Sequence, residues 1–261
     1  MVLPMFCAFK ERFFDYMEGK DRSYECRERA IKDGLCLFHH DKYWIDHPEE
    51  VLNAFMGKLE ESMDKGDNLL CIGYHLPNVD LSMKEISIPM YFLYSVFHGK
   101  AVFARSIFMG IVDFSMAKFA SDVVFNSAKF MSDAYFSFSN FQSAAYFRLV
   151  EFGGKLDFTN VKFDGDAIFW SCRFIKDTDF SGSEFGGVAD FRLSRFYMEA
   201  DFSYASFRYA RFYDAMFGGY VSFRYAKFME NVDFRKAKFR AGKDFTNIVL
   251  PKGREKIGAF V

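Results

Sequence analysis

The residues best suited to chemistry lie near the N-terminus: Cys26, and then Cys36-Leu37-Phe38-His39-His40. Thiolate and imidazole are the usual ligands of zinc, and a closed structural site takes four of them in a tetrahedron. Cys7 is the natural fourth, so the expected set is Cys7, Cys26, Cys36 and His39. His40 stands beside His39 and competes with it. Eighteen residues separate Cys7 from Cys26, more than in a compact zinc knuckle, and reduced buried thiols are the alternative reading. Cys71 and Cys172 read as core thiols, Cys172 because it occupies a small-residue slot of the repeat described below. Lys10, Glu11 and Arg12 interrupt the first apolar stretch, so no secretory leader is expected. Five cysteines then argue for thiols or metal in a cytoplasmic chain rather than disulfides.

Other chemistry finds no motif. There is no glycine-rich phosphate loop, no nucleophile elbow and no paired-histidine zinc motif, and the five histidines (His39, His40, His47, His75 and His98) sit in or near the N-terminal element. The expectation is a protein that is not an enzyme. No run of 18 apolar residues exists, so no membrane-spanning helix is expected.

Two elements must position the cysteines. The first is a helix with Asp46 as its cap and Pro48 and Glu49 in its first turn, ending near Gly66. Its Val51, Phe55, Leu59 and Met63 recur at i, i+4, joined by Leu52 and Met56, which makes one apolar face. The second is the body of the chain. From Phe103 to Phe245 phenylalanine returns at steps of five and six, filling 27 slots with 27 of the 37 phenylalanines. One slip to 5, 5, 5 occurs at Phe202, Phe207, Phe212 and Phe217. A small residue stands two places before most slots, as at Ala117, Val123, Ala128 and Ala134. Weaker copies reach back through Leu81, Ile86, Phe92 and Phe97 and forward to Leu250, where Pro251 ends the pattern.

A helix would scatter residues five apart around its circumference, and a continuous strand would flip every second one outward. What keeps each ring pointed at one axis is a corner every five or six residues, a β-solenoid of square section. Four sides give 22 residues per coil, and the 32 slots from Leu81 to Leu250 give eight coils. At the strand spacing the stack is roughly 35–40 Å long. The six-residue steps often carry glycine two places after the ring, at Gly99, Gly110, Gly154, Gly165, Gly187 and Gly219, as expected of bulged corners with positive φ.

Ala128-Lys129-Phe130 to Ala134-Tyr135-Phe136, and Ala200-Asp201-Phe202-Ser203-Tyr204-Ala205-Ser206-Phe207, resemble the pentapeptide-repeat family in its phenylalanine-rich form. The resemblance implies a mainly β fold, a right-handed quadrilateral β-helix, over residues 79–250; the residues ahead of it, 1–78, read as a small helical N-terminal domain, and 251–261 as a tail. It also implies a similar cysteine and Cys-x-x-His element ahead of the solenoid in some members. It names no function, because the family is defined by its scaffold. The N-terminal helix is expected to cover the first coil, whose open end would expose rings and unpaired backbone.

The surface offers two charged features. Asp113, Asp157, Asp179, Asp201 and Asp244 each precede a ring and are followed across it by a serine or threonine, in a column interrupted by Tyr91, Tyr135 and Ser222. An acidic stripe for a basic partner or cations is one reading, and side chains that close turns are the other. Arg235, Lys236, Lys238, Arg240 and Lys243, with Lys252, Arg254 and Lys256, make the last coils basic. Relatives that protect DNA gyrase present an acidic rod resembling DNA. Here 79–250 carries 21 basic and 19 acidic residues, about +2, the wrong sign for such a mimic. The expected function is a non-enzymatic scaffold for a macromolecular partner, most readily a protein. DNA mimicry or nucleic-acid association through charged faces is the alternative. The end of the stack is expected to be covered by Ile257 to Val261 or to join a second copy in a homodimer, as the resemblance also implies.

Overall fold

The computed structural model describes residues 5–15 and 19–251. The expected tail cover at 257–261 and the basic residues 252, 254 and 256 lie outside that range.

The body is a stack of two-residue strands joined by corners. One coil reads Met90–Tyr91, Val96–Phe97, Ala101–Val102 and Ile107–Phe108, and the next begins at Val112–Asp113. Each strand pairs in parallel with its counterparts one coil away, for instance Val112 with Met90 and Ala134. The ladders form parallel sheets of eight, nine and thirteen strands, the last covering two sides of the square. The ladder opens at Leu69–Leu70, ahead of residue 79.

Strand repeat dictates ring repeat. Phe180 is fully buried and stacks on Phe158 at 5.1 Å and on Phe202 at 5.0 Å, close to the spacing of paired strands. Its edges meet Phe169 and Phe191 from another column at 5.3 Å, near perpendicular. Stacking along the axis and edge-to-face contact across it fill the interior. The slots two places earlier must be small because they lie against these rings. Where they hold Ser183 or Ser194, the hydroxyl donates to the carbonyl of Phe158 or Phe169, and the Cys172 thiol donates to that of Phe147.

The corners correct the glycine argument. None of Gly99, Gly110, Gly154, Gly165, Gly187 and Gly219 has positive φ. They are small because coils approach closely there: a Cβ at Gly154 would come within 2.3 Å of the Ser132 carbonyl carbon. The left-handed residues sit instead at the five-residue steps, two places after the ring: Met116, Phe138 and Leu149 at φ 58°, and Gly182 at 69°. There the ring residue's carbonyl accepts from the N–H three places on, as from Ala117 to Phe114, which with φ above zero at the third position is a type II pattern.

At the slip the short step between Phe207 and Phe212 lets pairing run through the corner. Glu184–Asp190, Ser206–Arg211 and Lys227–Asp233 become continuous strands, with a register shift at the missing residue.

Ahead of the stack, β1 (Lys10–Asp15) and β2 (Lys20–Glu25) form an antiparallel hairpin. Two helices follow, α1 (Tyr43–Asp46) and α2 (Pro48–Lys65). Asp46 is not the cap expected of it: it ends α1, and His47 stands at the α2 N-cap without a side-chain bond. The left-handed Gly66 ends α2, and Asp67 donates its N–H back to Ser62, a Schellman-type stop. Val51, Phe55 and Leu59 are buried, and Phe55 meets Phe92 at 6.1 Å, so α2 covers the first coil.

Candidate metal centre

The hairpin brings the first two cysteines together. Cys7 precedes β1 and Cys26 follows β2, at the end where Lys10 pairs with Glu25. Cys7 donates its N–H to Glu28 and Cys26 donates to Phe9, which aligns the two flanks. Cys36 and His39 sit on one tight turn, because the Cys36 carbonyl accepts from both His39 and His40.

The four donor atoms lie within 4.8 Å of one another, and all four residues are buried. Cys26 Sγ is 3.7 Å from Cys36 Sγ, and His39 Nδ1 is 3.1 Å from Cys36 Sγ and 3.4 Å from Cys7 Sγ. A zinc tetrahedron with ordinary Zn–S and Zn–N bonds sets its corners about 3.5–3.8 Å apart. The cluster therefore fits a metal ion of that kind. His39 Nε2 lies 2.9 Å from the Ile72 carbonyl. That oxygen can only accept, so Nε2 carries the proton and Nδ1 points its lone pair into the cluster. The Phe9 ring stacks on the imidazole at 3.9 Å and fixes its plane.

His40 is turned away. Its Nε2 faces Asp33 at 3.3 Å and its Nδ1 accepts the Lys42 N–H. The hydrogen bond between Cys36 and Cys26 pushes the Cys26 thiol down to about 4 and drives Cys36 upward, so one proton is shared between the two sulfurs. Cys71 and Cys172 are fully buried free thiols, pushed up by burial.

The centre is tied to the solenoid at several points. Ile72 holds His39, and Phe38 accepts the His75 N–H at 2.7 Å while its ring stacks on Tyr74 at 4.2 Å. Gly73 has φ of 70°, and a Cβ there would strike the Phe9 ring. Sequence reasoning missed a second seam contact. The Trp44 ring stacks on His98 at 4.1 Å, and His98 Nε2 meets His75 Nδ1 at 2.9 Å. No spacing rule links Trp44 to His98; only the fold does.

The acidic column resolves into turn chemistry. One oxygen of each of Asp113, Asp157, Asp179, Asp201 and Asp244 accepts the N–H two residues on, at 2.7–2.8 Å. Asp113 lies between Tyr91 and Tyr135, fully buried, with its other oxygen unpartnered. Burial pushes its carboxyl up to about 6, against the Ser115 bonds that pull it down.

Among family models, that for pentapeptide repeats, in nine copies, matches residues 103–150, 139–184 and 180–227. No curated protein matches the chain.

Proposed function

From the premise that the solenoid is a pentapeptide-repeat stack, we propose that this chain is a non-enzymatic scaffold that presents a rigid, repeating surface to a protein partner. The observation that carries the reading is the filled axis: rings such as Phe158, Phe180 and Phe202 stack without a gap, so polar variety lies on the outside. The carboxylates of the aspartate column are engaged in turns, which favours a mosaic surface over a DNA-like acidic one.

In this reading Cys7, Cys26, Cys36 and His39 hold one structural zinc ion, which would supply a covalent-like clamp between the hairpin, the Cys36 turn and the first coil. None of the five cysteines is in a disulfide, which suits a cytoplasmic site of action. No helix among the described residues is long and apolar enough to cross a membrane. At the far end Phe239 and Phe245 are partly exposed, unlike Phe217 and Phe223 one coil earlier, which supports pairing of two copies there.

The test is affinity capture from the native host with photo-crosslinkers placed on each face of the solenoid. A single protein crosslinked through solenoid positions supports the scaffold. Turnover of a small molecule by the purified chain, or nuclease-sensitive capture alone, overturns it.

A further inference from the structure

One corner of the solenoid carries a basic, amphipathic groove in which several cations have no carboxylate partner among the described residues. On one side of the corner a groove of about 490 Å³ is lined by Leu149, Leu193, Met216, Arg173, Arg195 and Lys238, with Asp214 as the acid in its wall. On the other side a hollow of about 410 Å³ is lined by Arg148, Arg192, Arg211, Trp170, Ile168 and Asp190. Backbone bonds lock the corner in register: Leu149 donates to Trp170, Ser171 to Arg192, and Leu193 to Tyr213.

Two of the cations have partners. Arg192 grips the buried Asp190 at 2.6 Å, and Arg173 meets Glu151 at 2.9 Å. Arg195, Arg211 and Lys238 have no carboxylate at ion-pair distance among the described residues, and Arg148 leans only on the Tyr146 ring, at 5.6 Å. Arg173 and Arg195 stand directly opposite each other on paired strands. Like charges in that relation destabilise a sheet, so the charge of Arg195 works against the ladder rather than for it. The apolar members lie open beside these cations: Leu149 and Leu193 are 53% and 39% exposed at the corner itself.

We infer that this corner is the docking surface for an acidic amphipathic peptide segment of the protein partner. The inference rests on the scaffold reading and gives the partner its chemistry. Carboxylates pair with Arg148, Arg195, Arg211 and Lys238, and alternate apolar side chains lie on Leu149, Leu193 and Met216. Nucleic acid would use the cations and Trp170 but would leave the aliphatic floor without a role, whereas an acidic amphipathic peptide uses both.

The test is fluorescence anisotropy on the full chain with a labelled peptide of alternating glutamate and leucine. Comparison probes are its lysine-leucine counterpart, a poly-glutamate peptide and an oligo-thymidine strand. The glutamate-leucine peptide should bind best, and added salt should weaken it. Arg195→Glu with Arg211→Glu should weaken it about tenfold or more, as should Leu149→Ser with Leu193→Ser. Lys118→Glu, on another side of the square, should change little, and unchanged circular dichroism should show that each variant is folded. Tighter binding of oligo-thymidine, equal binding of poly-glutamate, an equal effect of Lys118→Glu or no peptide binding would each overturn the inference. A partner crosslinked through a different face would sink this surface and leave the scaffold reading standing.

Discussion

Cys7 and Cys26 lie far apart in the chain and meet in space because a hairpin folds between them. That hairpin was not legible: its strands Lys-Glu-Arg-Phe-Phe-Asp and Lys-Asp-Arg-Ser-Tyr-Glu are mostly polar, with Phe13 buried and Tyr24 partly buried against a core. The ligand types were legible from their chemistry. The choice of His39 over His40 was not, because it depends on the Ile72 carbonyl, 33 residues away. Cys36→Ser should abolish metal binding, measured by elemental analysis of purified protein, whereas His40→Asn should retain it. Loss of metal in the His40 variant alone would reassign the ligand. Asp113 gives a second test at this scale. Its carboxyl titrates near 6 in the fold and near 3.8 in the unfolded chain. Its contribution to stability is therefore present in full below about pH 4 and is lost as pH rises through 6. Asp113→Asn should gain on the parent between pH 4 and pH 7, by up to about 3 kcal/mol, in paired denaturant titrations. A constant difference across that range would show that the carboxyl is not desolvated.

At the scale of the coil, the five-and-six rhythm of phenylalanine was enough to read the four sides, the coil length and the inward slots, because each depends only on local spacing. The role of glycine was misread, because a close approach between coils is a contact 22 residues away in sequence. The type II corners tolerate Met116, Phe138 and Leu149 at positive φ, so composition there carries little signal. Energetics separate the ring from its neighbour. Phe180→Ala removes a ring held by six others and should cost about 3–5 kcal/mol. Asp179→Ala removes one turn bond, to the Ser181 N–H, and should cost about 1 kcal/mol or less. Thermal and denaturant unfolding of the two variants checks the order. A costlier Asp179 variant would mean that the column does more than close turns.

For the whole molecule the two ends differ. At the first coil α2 and the metal-centre turn cover the stack, with Phe55 on Phe92 and Phe38 on Tyr74. At the last described coil Phe239 and Phe245 keep part of their surface open, with the Lys243 ammonium 4.7 Å over the Phe239 ring. If that end joins two copies, Phe239→Glu should turn a dimer into a monomer in light scattering; a parent that is already monomeric removes the proposal. The stack itself should be indifferent to metal, since its coils are held by rings and ladders. The most direct test of the account is hydrogen exchange on the purified chain with and without a zinc chelator. The account predicts that chelation strips protection from residues 5–15 and 19–47 and from the Leu69–His75 edge, while 101–234 remains as protected as before. Protection unchanged at the N-terminus, or lost evenly along the solenoid, would contradict it.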